Sequence, residues 1–154
     1  MSVAVPLLSG HVALVDETDL TLIQGRRWYL RAGRDRLPYV VAKDGKYRQT
    51  YMHRLIMGAV KGQLVDHKNG CTLDNTRGNL RFATPSQNCW NSGPRGARPF
   101  KGPTRTRSGR WMAFCNRKYI GSFDTQEEAA RAYDTEAMRL FGEFARLNFP
   151  KEQS

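Results

Sequence analysis

The run "SGPRGARPFKGP", residues 92–103, does most to limit what this chain can fold into. Its glycines and prolines punctuate any helix or strand, so 154 residues divide into two stretches that must each bury a core. At 40% hydrophobic and 10% aromatic residues, both cores have to be modest. The composition also shifts here. Between Gly93 and Lys118 stand eight Lys or Arg (Arg95, Arg98, Lys101, Arg105, Arg107, Arg110, Arg117 and Lys118) and no Asp or Glu. We expect one domain over 1–92, a basic linker over 93–98 and a second domain over 99–154.

The net charge is +11, with a pI near 10.1. Such an excess suits a polyanionic partner. Trp111, Phe114 and Tyr119 interleave with the cations after the linker, and basic plus aromatic side chains in one region favour nucleic acid over a plain solvated face. Three cysteines without a C-x-x-C pair argue against a disulfide framework and a zinc ribbon. The start lacks the basic region of a secretory signal, and no run of about 18 uncharged apolar residues occurs. We expect a soluble, intracellular protein with no membrane span.

Before the linker, "RRWYLR" and "PYVVAKDGKYRQTYM" read as strands, with Asp44-Gly45 as a two-residue hairpin turn. "HRLIMGAV" reads as a short helical turn, "QLVDH" as a strand, Lys68 to Asn79 as a long polar loop and "LRFAT" as a second strand. "TPSQNCWN" opens a helix, with Thr84 and Gln87 as a capping box around Pro85. After the linker, "RWMAFCNRKYIGSF" gives two short strands around a tight turn. "DTQEEAARAYDTEAMRLFG" is a helix capped by Thr125 and Glu128, apolar at Ala129, Ala132, Tyr133, Ala137 and Leu140, and stopped by Gly142. Alternation turns Trp111, Ala113 and Cys115 toward that helix and Arg110, Met112, Phe114 and Asn116 away from it.

The chemistry concentrates in "GQLVDHKNG". Asp66 is a hard oxygen ligand at a strand end, and His67 beside it points to the opposite face. A metal-assisted phosphodiesterase needs such a pair: an oxygen donor for Mg²⁺ and a neutral imidazole to take a proton from water. Asn88, near the start of the following helix, offers a second hard donor. Asn79 could bond either the loop or the His67 ring. Read singly, each of these residues is an ordinary turn former, and Asn69 and Asn75 are read as that. His53 reads as a packing residue and His11 as inert.

Taken together, "MHRLIMG…LVDHKNGCTLDNTRGNLRFATPSQNCWN" resembles the HNH nuclease family, in the branch found in homing endonucleases. The resemblance implies an α+β chain with a ββα-metal fold holding one Mg²⁺ or Mn²⁺ ion. It makes Asp66 and Asn88 the metal ligands, His67 the general base and Asn79 the residue that positions His67. Roughly Pro99 to Pro150 resembles the Apetala/ethylene-response-factor DNA-binding family. That resemblance implies a three-stranded antiparallel sheet packed on one helix, with the open sheet face on double-stranded DNA. Pro103 and Tyr119 stand where that family has Val and Trp, so base specificity does not carry over. Expected DNA contacts are Arg105, Arg107, Arg110, Arg117, Lys118 and Tyr119, together with Arg54 and Arg81 near the candidate site. Lys68, Arg77, Arg26, Arg27, Arg31 and Arg34 could also meet phosphate. The function this implies is a site-specific DNA endonuclease, a nickase or a double-strand cutter; two cuts from a single site would take a homodimer or two successive nicks. The competing reading is a DNA-binding transcriptional regulator with an inactive nuclease-like half, and an RNA-directed nuclease is weaker still.

Overall fold

The computed structural model describes residues 1–33, 36–46, 48–94 and 96–150; Arg34, Tyr47 and Arg95, together with residues 151–154 of the expected second domain, lie outside them. Two compact units emerge, Met1–Pro85 and Ser86–Ser154. The architecture is α+β, built from small antiparallel sheets and few helices. Among the described residues no helix is long and apolar enough to cross a membrane.

The first unit opens with a hairpin of β1 (Ser2–Pro6) and β2 (Val12–Asp16), followed by a 3₁₀ turn (Glu17–Asp19) and the short α1 (Leu20–Ile23). A meander follows, β3 (Trp28–Gly33), β4 (Arg36–Asp44) and β5 (Arg48–Tyr51). Asp44 pairs with Arg48 and so ends β4 rather than sitting in the turn, where Gly45 has a φ of 79°. One face of the meander carries Trp28, Val40 and Ala42 into a core shared with Ala13, Val15, Ile23, Met52, Ile56 and Leu80. Trp28 closes its polar account by donating Nε1–H to the carbonyl of Ile23 at 3.0 Å. Next come α2 (Met52–Ile56) and a second hairpin, β6 (Leu64–His67) with β7 (Leu80–Ala83).

The second unit begins with α3 (Pro85–Trp90), whose first residue closes the first unit. The helix therefore groups with the second unit. The cause lies in contacts within this unit. Trp90 stacks on Phe141 at 4.6 Å between centroids, and the Lys101 ammonium donates to the carbonyls of Trp90 (2.7 Å) and Ser92 (2.8 Å). Beyond it, β8 (Pro103–Arg105), β9 (Trp111–Cys115) and β10 (Lys118–Phe123) form an antiparallel sheet in the order β10-β9-β8, packed on α4 (Gln126–Phe141). The Thr125–Glu128 capping box is formed, and Gly142 ends the helix.

The core of this unit is built from small residues. Ala113, Cys115, Ala129, Ala130, Ala137, Tyr133 and Phe141 are buried, whereas Leu140 lies at the solvent edge, one position off the buried stripe. The close approach explains Gly102. Its φ is +103°, and a Cβ there would lie 2.3 Å from the Tyr133 ring. The C-terminal segment is tied to α4 by Asp134, which accepts from the Asn148 and Phe149 backbone N–H groups at 2.8 Å each.

Candidate active site

The β6–β7 register sets Asp66 opposite Arg81 and His67 opposite Leu80. Adjacent residues on a strand face opposite ways, so the carboxylate and the imidazole point to different sides of the hairpin. Both are buried. Asp66 Oδ2 accepts from Arg81 Nε at 3.1 Å and lies 3.0 Å from Arg81 Nη2. Arg81 was expected on DNA; at 9% exposure it is instead the carboxylate's ion-pair partner, and it offsets the cost of a buried negative charge. Arg54 was expected there as well. Its guanidinium donates to the carbonyls of Ala59, Val60 and Gln63, bracing the turn after α2.

His67 is oriented by a residue the sequence reading set aside. Its Nε2 lies 3.3 Å from Asn75 Oδ1. Asn75 is fully buried and spends its amide Nδ2 on the carbonyls of Thr72 (3.3 Å) and Leu73 (3.2 Å). With both amide hydrogens directed at carbonyls, Oδ1 must face the ring. The ring therefore presents Nε2–H to it and carries its lone pair on Nδ1. Burial lowers the His67 pKa, against the raising effects of the Asn75 bond and of the Asp66 and Asp74 carboxylates. The result is a neutral imidazole of defined tautomer at neutral pH, the form a general base requires.

Of the two roles open to Asn79, the structure shows the loop one. Its Oδ1 accepts from Asn69 N at 3.0 Å and its Nδ2 donates to the carbonyl of Asp74 at 2.8 Å, closing the loop at both ends. Lys68 Nζ bonds the carbonyl of Gly78, and Asp74 accepts from Thr76 and Asn69. Outside the loop, the N-terminal hairpin grips it. Leu14 forms a parallel bridge with Asp74, Leu14 N donates to Leu73 O, and Asn75 N donates to Leu14 O, each bond 2.8 Å long. Arg77 is committed to Asp19, a carboxylate 2% exposed, at 2.7 Å. The first twenty residues thus hold the backbone from which Asn75 reaches His67. No local sequence signal marks this, because Asp74-Asn75 looks like any turn.

His53 lies closer to the site than sequence suggested. Its ring centroid is 5.1 Å from that of His67, and its buried Nδ1 has no hydrogen-bond partner among the described residues. Burial, helped by His67 and Arg54, drives its pKa down to about 3. Tyr39 and Tyr51 flank it at 5.3 and 5.7 Å. His11, as expected, is remote and exposed, bonded to Ser9 O. The amide of Asn88 sits on α3, within the second unit.

Oxygen donors of this kind suit a small hard cation that keeps water and substrate oxygens in its remaining positions. Among the described residues no three His, Cys, Asp or Glu side chains gather as a self-sufficient cage.

In the second unit, Ala113 and Cys115 face α4 as expected, and Trp111 is half-buried with the Arg105 guanidinium 6.0 Å from its ring. The register pairs Arg105 with Trp111 and Lys118 with Cys115, so both cations fall on the helix side of the sheet. Lys118 accordingly meets Glu136 of α4 at 3.6 Å. Tyr119 is 51% exposed and sits on the open face beside Phe114. Arg110 is exposed and reaches Asp124 at 3.2 Å, and Arg107 is exposed in the β8–β9 turn. Asn116 and Arg117 make the tight β9–β10 turn with φ of 49° and 65°, the left-handed pair of a type I′ hairpin. An arginine held in that conformation projects from the hairpin tip.

No family model matches the chain, and no solved structure matches it either. An ethylene-responsive transcription factor of Arabidopsis thaliana is 45% identical over 60 residues, 35% of this chain and 33% of its own length. An APETALA2-like protein of Oryza sativa subsp. indica is 48% identical over 61 residues, 36% of this chain and 14% of its own. The chain thus spans a third or less of these plant proteins. An uncharacterized HNH endonuclease of Acanthamoeba polyphaga mimivirus is 31% identical over 144 residues, covering 90% of this chain and 75% of its own length. A match that long takes in the Asp-His hairpin, its loop and the C-terminal sheet together, and on that ground the chain belongs to the HNH endonuclease family.

Proposed function

We propose that this chain is a site-specific DNA endonuclease in which His67 is the general base and Asp66 and Asn88 hold one Mg²⁺-type ion in a ββα-metal arrangement of β6, β7 and α3. The observation that carries the reading is the buried, neutral His67 imidazole, its tautomer set by Asn75, next in sequence to a buried carboxylate at a strand end. His67 Nδ1 takes a proton from the water that attacks phosphorus in line, and the cut leaves 5′-phosphate and 3′-hydroxyl ends. When bound, the ion would offset the charge that develops on the phosphate and the departing 3′-oxygen. Arg81 balances Asp66 inside the fold, and Asn79 with Asp74 keeps the loop closed so that Asn75 stays in place. The open face of the C-terminal sheet, with Tyr119, Arg110 and the Arg117 tip, supplies a second hold on the duplex. A tethered contact of that kind raises affinity through effective concentration.

Incubation of supercoiled plasmid with the full chain tests the reading. We expect nicked or linear DNA in Mg²⁺, none in EDTA, and at least a hundredfold loss for His67→Ala, as removal of a general base generally costs. Tight binding without cleavage under any divalent ion would instead support the regulator.

A further inference from the structure

Resting on the nuclease reading, we propose that the outward face of the β3–β4–β5 sheet is a second DNA-binding surface, a track that leads the strand to be cut toward His67. The core face of this sheet carries Trp28, Leu30, Val40 and Ala42. Register puts Tyr29, Arg31, Tyr39, Lys43, Gln49 and Tyr51 on the other face, since Tyr29 and Tyr51 both flank Val41, Arg31 pairs with Tyr39, and Lys43 pairs with Gln49. Arg31, Lys43 and Gln49 are exposed, the three tyrosines are half-buried and Val41 between Tyr29 and Tyr51 is fully buried; none of the seven is acidic.

These side chains form a connected series. Gln49 Nε2 donates to the Tyr29 hydroxyl at 3.2 Å, and Arg31 Nη1 donates to Gln49 Oε1. Tyr39 and Tyr51 meet edge to face at 6.1 Å; Tyr39 lies 6.1 Å from the His67 ring and Tyr51 reaches it through His53. The face is therefore continuous with the candidate catalytic histidine.

Its chemistry selects the occupant. Two cations, phenol hydroxyls and an amide, with no carboxylate among them, complement a phosphodiester backbone. From Tyr39 to Lys43 the strand runs roughly 13 Å, about the rise of four phosphates along one DNA strand.

The test uses the full chain in EDTA, so that binding is read without cleavage. With Tyr29 replaced by the photocrosslinker p-benzoyl-phenylalanine, irradiation should attach a labelled DNA duplex. The double variant Arg31→Gln/Lys43→Gln should weaken duplex binding roughly tenfold and reduce the slope of log affinity against log salt by about 1 to 2, as loss of one or two phosphate contacts requires. Circular dichroism should show both proteins folded, because Arg31 and Lys43 are solvent-exposed. An unchanged affinity and slope, with no crosslink, would overturn the surface while plasmid cutting by the wild-type chain kept the nuclease reading. A crosslink and a reduced slope in a chain that never cuts would keep the surface and overturn the nuclease reading. Displacement by duplex RNA in preference to duplex DNA would overturn the assignment of the partner.

Discussion

The β6–β7 hairpin and the β8–β9–β10 sheet use polar residues in opposite ways. In the first, Asp66, His67, Asn75, Asn79 and Arg81 are inside the fold, each engaged with another part of the loop or hairpin. In the second, the interior is alanine, cysteine, tyrosine and phenylalanine, and Arg107, Arg110, Arg117 and Tyr119 stand in solvent. A site that does chemistry needs groups held dry and immobile, and so its chemistry is bound up with its stability. A surface that holds a polyanion needs cations that water can reach until DNA arrives. Substitutions should therefore damage fold and function together in the hairpin, and binding alone in the sheet.

The hardest test of that contrast is Asp66→Ala, which removes the carboxylate paired with the Arg81 guanidinium, itself only 9% exposed. We expect a loss on the order of 3 kcal/mol in urea denaturation, typical of breaking a buried pair from one side. A loss below about 0.5 kcal/mol would place Asp66 with ordinary surface residues. Acid offers a second test. The folded-state pKa of His53 lies at about 3, below its ordinary 6.5, and that of His67 is lowered too. The unfolded chain then binds protons that the folded one refuses. The stability these rings contribute is complete above pH 6.5 and is lost as pH falls from there toward 3. From His53 alone the loss by pH 5 is on the order of 2 kcal/mol. Its neighbours in the fold, His67 and Arg54, are both basic and deepen the effect. A stability profile flat between pH 7 and 5 would contradict the burial of these rings. The smallest expected effect on stability belongs to Arg117→Gln. It should shift the urea midpoint by less than the equivalent of about 0.5 kcal/mol while lowering duplex affinity severalfold. An equal effect on both would erase the contrast.

What the sequence disclosed divides along similar lines. Period-two alternation is a local rule, so the opposite facing of Asp66 and His67, and the inward Ala113 and Cys115, were legible. Capping is local as well, and Thr125 with Glu128 marked the start of α4. The missed features depend on partners far along the chain. Asn75 looks like a turn residue until Leu14 fixes its backbone and His67 meets its side chain. That α3 groups with the second unit was hidden as well, because Trp90 finds its stacking partner in Phe141, beyond the whole sheet. The pairing of Arg105 with Trp111 and of Lys118 with Cys115 was hidden too, because composition gives charge but not register. The pairing of Arg81 with Asp66 was equally hidden, since a strand-borne arginine gives no sign of the carboxylate across from it.

Paramagnetic broadening by Mn²⁺ tests the proposed site most directly. In NMR spectra of the full chain, substoichiometric Mn²⁺ should broaden signals of Asp66, His67 and Asn88 together, and Asp66→Asn should abolish all three effects at once. Broadening confined to one of these positions, or centred elsewhere in the protein, would contradict a single ion shared by that carboxylate and that amide.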